Sequence, residues 1–181
     1  MTSPTLINPT RRLLLGGFVS TTGLLVLSSC STTTALAPIE SGAVVDATEA
    51  SLPMVNSVRR KKGLSGLSSD PVAASAAKDQ AIIMSRYGRM DHHLGSDKSF
   101  LARMKRMDVR LPAAENIATG QDTVDEAVAA WIHSKKHLEN MLGSYRGLGV
   151  AVARNSGTGS RPYWAMVLSN PDPSFLGIRG A

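Results

Sequence analysis

The chain has a single cysteine, Cys30, in 181 residues, so no disulfide can form within it and a packed core has to supply its stability. Aromatic residues are scarce at 4%, and the only dense basic run, Arg59-Arg60-Lys61-Lys62, contains none. A nucleic-acid surface combines basic side chains with stacking groups, so the formal charge of +6 does not point to nucleic acid as a partner. The run reads as a solvated helix end, able to lie against anionic lipid head groups at about 1 kcal/mol per charge. Also missing are a Gly-x-Ser-x-Gly elbow, a His-Glu-x-x-His pair and a phosphate-binding glycine loop, which removes the usual hydrolase and nucleotide signatures. With 43% hydrophobic and 19% charged residues, the length suits one domain with a real core and is short for two.

Long apolar runs are missing too. The longest, from Leu13 to Leu27 behind Arg11-Arg12, covers about fifteen residues, or roughly 22 Å as a helix, against a hydrocarbon core of ~30 Å. A charged n-region before a short apolar h-region is the pattern of an export signal. It ends in Leu27-Ser28-Ser29-Cys30, which looks like the lipobox of bacterial lipoproteins, with the sole cysteine where lipidation requires it. The alternative is an ordinary cleaved signal in which Cys30 is incidental. Thr10-Arg11-Arg12-Leu13-Leu14-Leu15 also resembles the twin-arginine export motif, with Gly16 in place of the usual polar residue. The expectation is a signal peptide over 1–29 and acyl chains on Cys30, each buried methylene adding about 0.8 kcal/mol. The membrane would then be a partner, with the protein lipid-anchored on the periplasmic or extracytoplasmic side of a bacterial membrane. Residues 30–46, rich in Thr, Ser, Ala and Gly, read as a flexible tether; 47–172 form the folded domain and 173–181 a tail.

Along the domain, Leu52, Val55 and Val58 predict a helix from Thr48 to Lys62 that Gly63 ends, with Pro53 in its first turn. Asp70-Pro71 is a helix start, and the helix should run to Tyr87 and stop at Gly88. Its inner face reads as Val72, Ala73, Ala76, Ala77, Gln80, Ile83, Met84 and Tyr87, small enough for close approach to another layer. Phe100, Leu101, Met104 and Met107 predict a short third helix. Thr123-x-x-Glu126 is a capping box before the stripe Val124, Ala127, Val128, Trp131 and Ile132. Trp131 then belongs to the core, and His133 faces solvent. The runs 147–153 and 163–168, separated by Ser156-Gly157-Thr158-Gly159-Ser160, predict an antiparallel hairpin, and the alternation at Tyr163-Trp164 predicts that one of the pair is buried. Helices first and strands last argue for an α+β domain.

Five stretches then fall in a characteristic order: Met90-Asp91-His92, Glu115-Asn116-Ile117-Ala118, Trp131-x-x-Ser134-x-x-His137-x-x-Asn140-x-Leu142, Gly147-x-Gly149-Val150 and Tyr163-Trp164. Over about residues 50–170 the chain resembles the CAP superfamily of cysteine-rich secretory proteins, antigen 5 and plant pathogenesis-related proteins, and it looks most like the bacterial members. The resemblance implies a three-layer α-β-α sandwich with a mostly antiparallel central sheet. It also implies a cleft at His92, Glu115, Ser134 and His137. Ser134 stands where the family's second glutamate is expected, and Lys135-Lys136 replaces the usual Pro-Gly.

Three readings of these residues stay open. His92, Glu115 and His137 would suit a divalent metal such as zinc with an open fourth position, although Lys135 and Lys136 disfavour a cation and favour an anionic ligand. The same residues would equally serve as a structural network, with Glu115 tying down backbone. Beyond that metal no cofactor is implied, and a monomer is expected. The functional expectation is a non-catalytic binding module for a lipid, a small ligand or a cell-envelope partner; the alternative is a metal-dependent hydrolase acting on peptides or envelope polymers.

Overall fold

The computed structural model describes residues 43–97 and 99–172; the expected signal peptide, Cys30, most of the expected tether and the expected tail from 173 onward lie outside the described residues. Its helices begin and end where local chemistry dictates. Helix α1 spans Thr48–Lys61, with Pro53 in its interior rather than in its first turn, so the Glu49 carbonyl loses an intrahelical donor. In α2 (Pro71–Tyr87) the Asp70 carboxylate accepts from the Val72 N–H at 2.9 Å, and Gly88 closes the helix at φ 61°. Ser99 caps the short α3 (Phe100–Arg106). The capping box of α4 (Val124–His133) is reciprocal: Thr123 Oγ1 accepts from the Glu126 N–H at 3.2 Å, and Glu126 accepts from the Thr123 N–H at 3.3 Å. A single residue, Ser134, separates α4 from α5 (Lys135–Met141).

The strands are β1 (Val44–Asp46), β2 (Ser68–Ser69), β3 (Ala114–Thr119), β4 (Gly147–Ala153) and β5 (Tyr163–Ser169). Their order is β1-β4-β5-β3, antiparallel throughout, with β2 adding a short parallel pairing to β4. β4 and β5 form the expected hairpin. The sheet starts earlier than the sequence suggested, since Val44–Asp46 pairs with Ala151–Ala153 and is not tether.

Helices cover both faces, giving the three-layer α-β-α sandwich. Leu148, Val150 and Val152 cluster with Val55, Val128 and Trp131 of α1 and α4, whereas Ala151 and Ala153 cluster with Ala73, Ala76, Ala77 and Met84 of α2. The alanines let α2 lie directly on β4: a Cβ at Gly149 would overlap the backbone of Ala73 and Ala74. Two-sided cover also explains why both Tyr163 and Trp164 are buried, where alternation had suggested one. The inner face of α2 is narrower than predicted, because Val72 and Tyr87 are exposed.

On α3, Leu101 is exposed and Arg103 is buried. Arg59 is not part of a solvated helix end; it is 3% exposed and donates to the carbonyls of Ser65, Met141 and Gly143 at 2.7–2.8 Å. Among the described residues no helix is long and apolar enough to cross a membrane.

Candidate functional site

β3 is an outer strand of the sheet, and its side chains alternate between the two helical layers. Ile117 packs in the cluster of α2 and α3, while Ala114 and Ala118 pack in that of α4. Glu115, on the Ile117 side, therefore meets α3. Arg103 Nη2 donates to Glu115 Oε2 at 2.5 Å, and His92 Nδ1 lies 2.7 Å from Oε1. The Arg103 and Glu115 side chains are 1% and 2% exposed, against 39% for His92. Arg103 Nη1 also reaches the His92 carbonyl at 3.3 Å, and its guanidinium lies 5.8 Å from the Phe100 ring centroid. One arginine thus fixes both the carboxylate and the loop that carries the histidine.

The opposite face of β3 is fastened to α5 by two asparagines. Asn116 donates to the His137 carbonyl at 3.0 Å and accepts from Asn140 Nδ2 at 2.8 Å. Asn140 also reaches the Glu115 carbonyl at 3.4 Å. These contacts hold the start of α5, and so His137, beside the strand.

Between that strand and the α4–α5 junction opens a cavity of about 230 Å³. Ile117, Ala118 and Thr119 of β3 line it with Ala130 and Trp131 of α4, Ser134 and His137 at the junction, and the loop residues Met90 and Gln121. Burial pushes the His137 imidazole below its ordinary pKa, and the charges of His92 and Lys136 push it the same way. It is therefore neutral at pH 7. Ser134 caps α5 without using its hydroxyl, which leaves Oγ available to the cavity.

Of the four expected cleft residues, Ser134 and His137 line the cavity; His92 and Glu115 stand in the ion-pair network beside it. His93 points outward with its side chain 67% exposed. Lys135 and Lys136 are exposed and do not line the cavity, so they supply no anion site within it. The zinc reading fails on its donors. Both Glu115 oxygens are engaged, one by a guanidinium that repels a cation, and His92 Nδ1 is turned to Glu115. Among the described residues no three His, Cys, Asp or Glu side chains form a metal-holding group.

Sequence reasoning missed Arg103 and Gln121. Arg103 sits three residues after Phe100 and one before Met104, on the same helical stripe, and that position marked it as buried. Gln121 lies between β3 and α4, where no periodicity signals it.

An α-β-α sandwich with a cleft at its outer strand, fastened by His92, Glu115 and the Asn116–Asn140 pair, defines a CAP-type domain. The model of the cysteine-rich secretory protein family (CAP) matches residues 52–168, and the chain belongs to that family. Over 90 residues it is 33% identical to the Bacillus subtilis protein YkwD, a stretch covering 49% of this chain and 35% of that protein, so the match spans about a third of the relative. Two solved structures share the fold. An extracellular SCP-domain protein from Bacillus anthracis superimposes with a TM-score of 0.59 at 21% identity, over 68% of this chain and 40% of that one. An outer surface protein from Borrelia burgdorferi gives 0.60 at 20% identity, over 72% and 99%.

Proposed function

We propose that the protein is a lipid-anchored, extracytoplasmic CAP domain whose cleft holds a small ligand without performing chemistry on it. The observation that carries this reading is the engagement of Glu115. A carboxylate held at 2.5 Å by a buried arginine is committed to structure, neither ligating a metal nor serving as a base. What remains open to solvent is a small, largely apolar cleft. Ser134 and His137 line it, yet among the described residues no hydrogen bond joins their side chains and no carboxylate orients His137. Among the described residues the metal-dependent hydrolase reading therefore has neither a free donor set for a metal nor an oriented Ser134–His137 pair to support it.

The location rests on Leu27-Ser28-Ser29-Cys30, with the relatives described as extracellular and outer surface proteins in support. Metabolic labelling with a palmitate analogue tests the anchor: the wild type labels, Cys30→Ser does not, and equal labelling of both overturns the reading. Zinc titration tests the binding-only reading. A hundredfold excess over a dissociation constant would stabilise by about 2.7 kcal/mol, and a stabilisation of that order in thermal melts would restore the metal reading.

A further inference from the structure

Two indole N–H groups sit near the cleft, and they differ. Trp164 Nε1 donates to the backbone carbonyl of Gln121 at 2.8 Å. Trp131 Nε1, on a residue 1% exposed, has no partner among the described residues. The side chain of Gln121 carries a second orphan, since its Oε1 is buried without a donor. Both residues line the same cavity. Protein interiors pair their buried donors and acceptors, so an unpaired N–H and an unpaired C=O on two residues that line one cavity point to a guest that supplies the complements.

The remaining lining defines that guest. No carboxylate, ammonium or guanidinium group lines the cavity, and burying a charge without a countercharge is strongly unfavourable, so the guest is neutral. The Thr119 hydroxyl is already spent on the Pro162 carbonyl at 2.8 Å. Met90, Ile117 and Ala130 offer apolar surface for a small alkyl group. A volume of about 230 Å³ lies below the usual range for drug-sized ligands, ~300–1,000 Å³, and takes one sugar ring or one amino-acid unit.

Resting on the reading of this cleft as a ligand site, we propose that it recognises a secondary amide of the acetamido type. The amide C=O accepts from Trp131 Nε1–H, its N–H donates to Gln121 Oε1, and its methyl group lies against Ile117 and Ala130. An N-acetylated amino sugar and an N-acylated amino-acid amide carry this same group.

The test uses the full chain bearing Cys30→Ser, held in detergent and labelled with 15N at its two tryptophans. It is titrated with N-acetylglucosamine, N-acetylalanine methylamide, glucose and methyl acetate. The Trp131 indole resonance is expected to shift and saturate with the amides while that of Trp164 moves less. Glucose, which lacks the acetamido group, and the ester, which lacks the N–H, should bind about tenfold more weakly.

Trp131→Phe and Gln121→Met should each weaken amide binding about tenfold. Should Trp131→Phe fail to fold, the partly exposed Gln121 position carries the test. A response to one amide alone assigns the source. Glucose or the ester matching the amides, or amides that leave Trp131 unmoved at tens of millimolar, overturns the proposal. If a ligand of another class then shifts the Trp131 indole resonance, the cleft remains a binding site and only the amide assignment falls; if no compound does, both fall.

Discussion

Arg103 on α3 and Glu115 on β3 form an ion pair of 2.5 Å with both side chains sealed from solvent, and the same guanidinium holds the His92 carbonyl. Glu115→Ala leaves that guanidinium buried and unpaired, which should cost about 3 to 5 kcal/mol. At roughly 2 to 4 °C per kcal/mol the melting temperature falls by about 10 °C. Arg103→Met combined with Glu115→Leu should recover most of the loss, because no charge is then stranded. Thermal melts followed by circular dichroism decide it, and a Glu115→Ala variant melting like the wild type would refute the structural role.

His137 should make the domain acid-sensitive. Its folded pKa is depressed from the ordinary 6.5, first by burial and then by the charges of His92 and Lys136. As pH falls through 6.5 the unfolded chain takes up this proton and the folded chain resists it. Stability is therefore full above that pH and declines below it. His137→Gln should flatten this dependence in urea melts between about pH 7 and about pH 5, and an unchanged slope would show that other groups are responsible.

Arg59 should behave unlike its neighbours in the basic run. It donates to the Met141 and Gly143 carbonyls at the end of α5, where the helix dipole places partial negative charge. Arg59→Lys keeps the charge but loses the fork, and should destabilise by about 1 to 3 kcal/mol. Exposed Arg60→Ala should stay within about 0.5 kcal/mol. Hydrogen exchange at residues 141–145 should accelerate in the Arg59 variant only.

Gly149→Ala puts a methyl group into the backbone of Ala73 and Ala74. Overpacking of this kind costs about 1 to 3 kcal/mol or more, and here the obstacle is backbone that cannot rotate away. The variant should show a lowered denaturation midpoint or fail to accumulate in soluble form. Wild-type stability would mean that α2 can lift from the sheet.

What sequence made legible was local. Asp70-Pro71, Gly88 and the Thr123–Glu126 box are complete within a few residues, so α2 and α4 begin where expected. The burial of both Tyr163 and Trp164 was not legible, because it depends on a second helical layer that no short window contains. The motif order supplied His92, Glu115, Ser134 and His137, but not their partition between an ion-pair network and a cavity wall. That partition is set by Arg103, a residue type that is mostly exposed and here has its partner twelve residues away.

The strand order β1-β4-β5-β3 puts the N-terminal strand at one margin of the sheet and the cleft strand at the other. Three interstrand steps of ~4.8 Å separate them, roughly 14 Å. Tension applied through the N-terminal side loads the three-residue ladder between β1 and β4 first. That ladder should yield while β3 keeps its six-residue pairing with β5. A pull on the N-terminal side is therefore expected to peel the near margin first, as a mechanical fuse would, and to spare the cleft strand.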